Sequence, residues 1–305
     1  MKLTKPVSIT DLNSWLKAKT QVKNQTPLDY RFALLKEDVS NRDKVIPKIK
    51  ELSQQAFYDW KQKIIEVRHI DLDPLDSDDV KNKKQEFANK LDQLLSIFDD
   101  RTLQGYFGEI LGGAIILGFS PFDNDEWDIP VFLYRHHIHG YDAFEKWRQG
   151  GQLPKAVIGR AGEDNIAFWK DKNGKIIGEL RCESKCTTGG SDLVDDAHEK
   201  FKDSTYVSPE IFRILEILKD YSSDPIAVEW TKALRDYQWN AGEPKHIICY
   251  VCGESPKRPK DRVSWIKSDA PHKTYNSSRP LQVFEIHISN IPDLIDFIFD
   301  QKARP

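Results

Sequence analysis

Long apolar runs are missing from this chain. No stretch approaches about 18 consecutive apolar residues, and no basic leader precedes an apolar segment, so neither a membrane span nor a secretory signal is predicted. A strong charge of either sign is missing too, because the formal net charge is −3. Any contact with nucleic acid must therefore come from local patches, which argues against a general DNA coat but not against an enzyme that acts on DNA.

Cysteine is scarce, with four residues in a chain of 305. Thiols without a secretory signal are typical of a reduced, cytoplasmic protein, which is the location we expect. Cys249 and Cys252 have the spacing of a zinc knuckle, and Cys182 and Cys186 could complete a four-thiolate zinc site. However, 246–252 is typical of a buried strand, in which positions three apart face opposite ways, so ordinary core thiols are the favoured interpretation.

A β-hairpin is predicted in the middle of the chain. Residues 164–169 and 175–183 have the composition of strands, and Asn173-Gly174 between them is a typical two-residue turn. Counted outward from that turn, Asp164 lies opposite Glu183. Opposed residues share a face of the sheet, so the two carboxylates should lie side by side.

Lys185 should join this pair, because residues two apart on a strand share a face. Two adjacent carboxylates repel each other unless a positive charge lies between them. Mg²⁺ or Mn²⁺ is the natural occupant, since hard cations prefer oxygen ligands and keep positions open for water and phosphate. The alternative is that Glu183 and Lys185 form an ordinary solvated charge pair on an exposed strand.

The residues Asp164, Glu183 and Lys185 resemble the motif of the PD-(D/E)xK nuclease superfamily, with Glu163 in place of the proline. The resemblance covers roughly 101–252. It implies a core made of a helix, a three-strand meander, a helix and a further strand. It also implies that Asp164 and Glu183 hold a metal ion, that Lys185 is catalytic, and that a glutamate on the first helix, matched by Glu109, is a further metal ligand.

Glu109 is a candidate site residue without the resemblance as well, because it is the only charged residue between Tyr106 and Phe119. A helix that is apolar on nearly all sides is expected to be buried. An ionised carboxylate in such a place costs several kcal/mol unless it is paired or bound to metal. Glu109 is therefore either a metal ligand or a residue on the one solvent-facing edge of the helix, where an arginine could pair with it.

The activity implied by the resemblance is Mg²⁺- or Mn²⁺-dependent hydrolysis of phosphodiester bonds in DNA, with RNA left open. The additions around the core are similar to those of prokaryotic defence effectors, such as the nucleases of Hachiman-like antiphage systems that act beside a helicase. A type II restriction endonuclease fits the same residues. Other classes remain open, namely a non-catalytic nucleic-acid-binding or assembly subunit and a nucleotide phosphohydrolase.

Contact with a nucleic-acid backbone is expected from a basic loop near the C-terminus, where cations can replace counterions. An aromatic residue there, Trp265, could stack on an unpaired base. The Gly189-Gly190 loop offers amides that could approach a phosphate. The histidine-rich segment 135–139 is a second candidate for contacting phosphate. The basic residues of the loop are Lys257, Arg258, Lys260, Arg262 and Lys273.

The order of the predicted elements indicates an α/β protein with a mixed sheet of the restriction-endonuclease-like type, flanked by helices. Residues 1–100 are expected to form an N-terminal helical region, and 101–305 the nuclease-like core with C-terminal additions. The oligomeric state is left open. Helices are predicted over 41–66, 76–100, 103–118, 141–149, 192–202, 208–220, 225–237 and 291–301, and strands over 131–134, 164–169, 175–183, 246–252 and 281–288.

Overall fold

The structure is a computed structural model that describes a defined part of the chain. The predicted helix 141–149, most of the predicted helix 76–100 and the segment 135–139 lie outside this part. So do the basic residues Arg258 and Lys260. The described residues are 11–24, 28–71, 89, 98–133, 162–201, 207–239, 241–257 and 262–301, without the side chains of 60–71.

A six-stranded mixed sheet forms the centre of the described chain, in the order β1-β2-β6-β5-β4-β3. The four inner strands β2, β6, β5 and β4 run parallel, and each edge strand pairs antiparallel with its neighbour. The strands are β1 (Leu16–Asn24), β2 (Tyr30–Glu37), β3 (Asn165–Lys170), β4 (Ile176–Thr187), β5 (Lys245–Cys252) and β6 (Leu281–His287).

Helices cover both faces of this sheet, so the predicted α/β class with a mixed sheet flanked by helices is confirmed. The main predicted helices in the described part of the chain form within a few residues of their expected bounds. Besides α1 (Leu12–Trp15), a short helix that was not predicted, these helices are α2 (Arg42–Asp71), α3 (Asp100–Gly118), α4 (Val194–Glu199), α5 (Pro209–Lys219), α6 (Pro225–Tyr237) and α7 (Ile291–Ile298).

Two predictions about the strands need correction. The expected N-terminal helical region contains strands β1 and β2, and β2 pairs with β6, so both belong to the central sheet. The strand predicted over 131–134 is wrong, because the described residues Val131 to Leu133 form a turn. In the described ranges, a bridge between Asp128 and Phe168 is the pairing found on the outer side of β3.

Two apolar layers hold the helices against the sheet. On one face, α2, α3 and α7 pack on inward-facing residues of β2, β4, β5 and β6. On the other face, α5 and α6 cover β3, while α4 and the segment around Ile266 and Tyr275 cover β2, β5 and β6. Burial of these apolar side chains contributes roughly 25 cal/mol per Å² of area removed from water, which stabilises the three layers.

Helix α3 packs closely against β4 through glycines. A Cβ at Gly112 would come within 2.2 Å of Ser184 Oγ, and a Cβ at Gly108 within 3.2 Å of the Cβ of Cys186. The stretch Asp100–Asp123 is long and apolar enough to cross a membrane by length and composition, but 72% of its most apolar window is buried inside the protein. The close approach positions Glu109 beside the start of β3.

The predicted register of the hairpin is confirmed for five pairs, from Asn165 opposite Cys182 to Trp169 opposite Gly178. The predicted two-residue turn is wrong. Asp171 and Lys175 close a three-residue loop, in which Gly174 has a φ of 79° that favours glycine. A register shift between Trp169 and Lys170 compensates for the longer turn, so the end of the hairpin far from the turn keeps the predicted alignment.

Candidate active site at the end of the hairpin

The two acids of the motif lie at neighbouring main-chain positions. Pairing ends at Asn165 and Cys182, one pair short of the predicted opposition of Asp164 and Glu183. Asp164 is buried, and its amide donates to the carbonyl of Cys182 at 2.9 Å. Its Oδ2 accepts a hydrogen bond from the amide of Ser184, the residue after Glu183, at 2.7 Å. The hairpin thus brings Asp164 beside Glu183, as the motif requires.

Glu183 is almost completely buried, at 1% exposure, yet two lysines reach its carboxylate. Lys185 Nζ donates to Oε1 at 2.6 Å, in agreement with the predicted common face. Lys200, which follows α4, has its Nζ 3.8 Å from Oε2. Oε2 accepts no hydrogen bond from the described residues. Two partly exposed ammonium groups therefore compensate the buried negative charge of Glu183.

Glu109 is buried on α3, next to the same end of the hairpin. Its carbonyl oxygen accepts a hydrogen bond from the side-chain amide of Asn165 at 2.9 Å, which ties α3 to the residue after Asp164. The carboxylate oxygens of Glu109, Asp164 and Glu183 do not all lie within 4.8 Å of one another. The structure therefore places the three predicted metal ligands in one region without gathering them into a closed ligand set.

Two residues at the site, Lys200 and Asn165, were not predicted from the sequence. Lys200 lies 15 positions after Lys185, beyond a loop and a helix, so no local pattern places it near Glu183. Asn165 could have been found from the alternation of β3, which turns it away from Asp164 and towards α3. Lys200 adds a positive charge near Glu183, whereas the side chain of Asn165 binds the main chain of Glu109 and so connects β3 to α3.

A second polar network occupies the same face of β4, nearer the turn. Arg181 Nε donates to Glu179, whose other oxygen accepts the hydroxyl of Tyr237 at 2.7 Å. Burial, with the negative charge of Glu179 beside it, raises the pKa of Tyr237 well above its ordinary value. Arg181 also lies 3.5 Å from Glu163, the residue before Asp164. Both carboxylate oxygens of Glu179 therefore have a hydrogen-bond partner, and the network joins β4 to α6.

Three of the basic residues predicted to contact nucleic acid, Lys257, Arg262 and Lys273, lie in the described part of the chain. Arg262 donates to the carbonyls of Ser264 and Trp265, and its guanidinium carbon lies over the Trp265 ring, 5.5 Å from the ring centroid. Its guanidinium is thus engaged within its own loop. Lys257 and Lys273 are exposed, as a backbone contact would require. Contact of this loop with nucleic acid stays a prediction.

The Gly189-Gly190 loop is held by the protein itself. The amide of Gly189 donates to Thr187 Oγ1 at 3.0 Å, and the carbonyl of Gly190 accepts the hydroxyl of Tyr250. A Cβ at Gly190 would lie 2.3 Å from the ring of Trp265. Close packing against that ring therefore accounts for glycine at position 190.

The four cysteines do not form one site. Cys182, Cys186 and Cys249 lie on the face covered by α3, whereas Cys252 lies on the opposite face, as the alternation of β5 predicts. Burial raises the pKa of the four thiols above the ordinary range. The three thiols on the α3 face are core side chains, and a four-thiolate zinc site is excluded by this arrangement.

His198 lies on α4, two residues before Lys200, and is a buried titratable residue. Its side chain is completely buried, Nδ1–H donates to the carbonyl of Val194 at 2.7 Å, and Nε2 has no hydrogen-bond partner among the described residues. The ring of His272 lies 5.1 Å away. Burial lowers the pKa of His198 from 6.5 to about 4, because a charged imidazolium would lose its hydration there.

We expect the free energy of unfolding to decrease at acidic pH because His198 is buried in its neutral form. Between pH 6.5 and about 4 the unfolded chain binds a proton that folded His198 does not, so the free energy of unfolding decreases by about 3 kcal/mol as the pH falls through this range. Urea unfolding at several pH values should show a shallower loss for His198→Leu than for the unchanged protein. Parallel losses in the two proteins over this range would contradict the prediction.

No family model matches the chain, and a search of curated proteins finds no match either.

Proposed function

We propose that this chain is a Mg²⁺- or Mn²⁺-dependent nuclease whose active site lies at the end of the β3–β4 hairpin. The observation that carries the proposal is the buried carboxylate of Glu183, which has Lys185 on one oxygen and, among the described residues, no hydrogen-bond partner on the other. A buried carboxylate next to a second buried acid, Asp164, is costly to maintain for stability alone. Such clusters are therefore candidates for chemistry.

The order of the elements supports the proposal. Among the described residues, helix α3, the bridge at Asp128, strands β3 and β4, helix α4 and strand β5 occur in this order along the chain. The resemblance to PD-(D/E)xK nucleases implies the order helix, three-strand meander, helix and strand. In the proposal the bridge at Asp128 takes the place of the first strand, and α5 and α6 are an insertion before β5.

The donor set fits a hard divalent cation. Asp164 and Glu183 offer carboxylate oxygens, which Mg²⁺ prefers, and no residue in the described ranges donates a hydrogen bond to Glu183 Oε2. In the proposal Asp164 and Glu183 hold the ion, with Glu109 as a further ligand from α3. A bound Mg²⁺ would lower the pKa of a water molecule and screen the negative charge of the scissile phosphate.

The two lysines supply the remaining charge. Lys185 is fixed by Glu183 at 2.6 Å, so its ammonium group is held where it can orient the attacking water or stabilise the negative charge that develops on the phosphate. Lys200 approaches from α4 on the other oxygen of Glu183 and is partly exposed, so it can turn towards a phosphate. We propose that Lys200 contacts the substrate.

The rest of the proposal comes from the family resemblance. It supplies DNA as the substrate, products with 5′-phosphate and 3′-hydroxyl ends, and a defence role in the cytoplasm beside a helicase. The exposed Lys257 and Lys273 provide cations for the DNA backbone on the described surface. A type II restriction endonuclease would use the same site without a helicase.

A second candidate is a non-catalytic nucleic-acid-binding or assembly subunit. Two observations favour it. Lys185 and Lys200 already compensate the charge of Glu183, and the oxygens of Glu109, Asp164 and Glu183 do not form a closed ligand group. In this case the acids and lysines form a structural charge network, and nucleic acid binds without being cut.

A cleavage assay separates these candidates. Purified protein is incubated with plasmid, single-stranded DNA, RNA and free nucleotides, each with Mg²⁺, Mn²⁺ or EDTA. The nuclease proposal expects cleavage of a polymer that EDTA abolishes. Binding of DNA that EDTA does not change, without cleavage of any polymer in the presence or absence of a helicase, would favour the assembly subunit. Turnover of nucleotides alone would indicate a phosphohydrolase.

Lys200→Ala is expected to reduce cleavage by about 10-fold to 100-fold, because an aligned cation that stabilises developing charge contributes on that order. Lys200→Arg should recover part of the activity, since it keeps the positive charge. Initial rates at saturating Mg²⁺ provide the measurement. Lys219→Ala is the matched control, because Lys219 is exposed on α5 and pairs only with Glu216 in the described structure. Equal rates for Lys200→Ala and the control would remove Lys200 from the site.

A further inference from the structure

A second group of metal-binding side chains lies at the carboxyl ends of two parallel strands. Cys252 and His287 are the last residues of β5 and β6, and they are register partners in the sheet. Glu285 lies two residues before His287 and therefore on the same face. One ligand atom from each residue, the thiol sulfur, a ring nitrogen and a carboxylate oxygen, lies within 4.8 Å of the other two.

The group is buried and already oriented. Cys252 and Glu285 have no exposed surface, and His287 is 7% exposed. His287 Nε2 lies 2.7 Å from Glu285 Oε1, and Nδ1 lies 2.7 Å from the hydroxyl of Ser255. In metal sites the second ring nitrogen of a ligating histidine commonly has such a partner, which fixes the ring and the tautomer.

Glu285 is fixed from the other side by the main chain. Its Oε1 accepts the amide of Trp265 at 2.7 Å, and its Oε2 accepts the amide of Ile266 at 2.8 Å. These two bonds fix the position of the carboxylate relative to the loop 262–266. A carboxylate oxygen has two lone pairs, so Oε1 can keep its amide partner and still bind a cation.

We propose that Cys252, Glu285 and His287 bind a zinc ion. Thiolate and imidazole are ligands that zinc accepts and that Mg²⁺ does not favour, so this site differs in chemistry from the carboxylates at the hairpin. One thiolate and one carboxylate balance the double charge of the ion, while His287 stays neutral. The complete site is therefore uncharged, which is what burial in this layer of the protein requires.

Binding rearranges few atoms. Zinc replaces the thiol proton of Cys252, which passes to solvent, and takes the lone pair of His287 Nε2. The ring proton then resides on Nδ1 and is donated to the hydroxyl oxygen of Ser255. The three protein ligands leave a fourth tetrahedral position for water. Nε2 and Oε1 separate from 2.7 Å to roughly 3 Å, the spacing of two ligands on one zinc ion.

The ion would connect the loop 262–266 to the sheet. Glu285 already binds the main chain of Trp265 and Ile266, and Trp265 packs against Gly190 in the loop after β4. Zinc on Glu285 would therefore stabilise both loops at the end of the sheet. This inference does not depend on the proposed nuclease activity, since none of the three ligands belongs to the hairpin site.

Metal analysis of the full chain tests the proposal. Protein purified without a histidine tag is incubated with zinc, dialysed, and analysed by mass spectrometry for bound metal. The expected content is about one zinc ion per chain. Replacement of zinc by Co²⁺ should give thiolate-to-metal charge-transfer absorption in the near ultraviolet. A wild-type protein with no retained zinc and no such absorption overturns the proposal.

Matched cysteine variants locate the site. Cys252→Ser should weaken zinc binding by at least about 100-fold, because a ligand is lost. Cys249→Ser is the control, since Cys249 lies on the same strand but on the opposite face. His287→Asn should lose zinc as Cys252→Ser does. If Cys252→Ser does not fold, the cobalt spectrum of the wild-type protein still decides whether a thiolate binds the metal. Equal zinc content in Cys252→Ser and Cys249→Ser would contradict the assignment.

Discussion

Glu183→Gln is expected to abolish cleavage, with a loss of at least about 100-fold in the rate at saturating Mg²⁺. The substitution keeps the shape of the side chain and removes the negative charge that would bind the metal ion and fix Lys185. The two lysines near Glu183 are partly exposed, so water can solvate them in the variant and the protein should stay folded. Single-turnover rates and a melting curve measured on the same preparation provide the comparison.

Glu199→Gln is the matched control for this variant. Glu199 precedes Lys200 on α4 and is exposed, so the same change of charge occurs close to the site without touching it. Its cleavage rate should equal that of the unchanged protein. DNA binding by Glu183→Gln should persist, because the exposed lysines of the basic loop are unaltered. Full activity in Glu183→Gln would remove the hairpin from consideration as the active site.

The register of the hairpin could be predicted from the sequence even though the turn could not. Asn173-Gly174 indicated a two-residue loop, whereas Asp171 accepts amide hydrogens from Asn173 and Lys175 with its side chain and closes a three-residue loop. Ile177 is the extra residue that restores the alignment. Alternation of apolar and polar residues fixes the face of the sheet on which each residue lies. The register of the strands is therefore kept although the loop is one residue longer than predicted.

The N-terminal strands could not be predicted because their pairing is not local. β1 has a lysine at positions 17, 19 and 23, a composition that edge strands carry and that resembles a loop or an exposed helix when taken alone. β2 pairs with β6, and its residue Arg31 lies opposite Gln282 across most of the length of the chain. Only the packing of the whole sheet reveals such a pair.

The candidate sites also differ in whether they depend on local or on distant pairing. The relation of Asp164 to Glu183 depends on a hairpin, which local turn chemistry and alternation indicate. Lys200 depends on the course of α4, and the pairing of Cys252 with His287 depends on a parallel contact between strands that a long connection separates. Sequence alternation placed Cys249 and Cys252 on opposite faces, but it could not supply the partners of Cys252.

Arg181→Met is expected to lower the free energy of unfolding by about 3–5 kcal/mol, because it leaves the carboxylate of Glu179 buried without its cation. Arg181 and Glu179 have side chains that are 9% and 0% exposed, so water cannot replace the lost partner. The hydroxyl of Tyr237 would remain as a donor to Glu179, but it carries no charge. Urea unfolding at neutral pH provides the measurement.

The double variant Arg181→Met with Glu179→Met separates the loss of the pair from the cost of an isolated charge. Removing both groups should recover most of the stability, because no buried charge remains. Lys219→Met is the control, since its pair with Glu216 is exposed on both sides and should contribute under about 1 kcal/mol. A double variant less stable than Arg181→Met would show that the pair itself stabilises the sheet. Glu179 and Glu183 lie on one face of β4, and these experiments distinguish a carboxylate whose role is to hold the fold from one that is kept for chemistry.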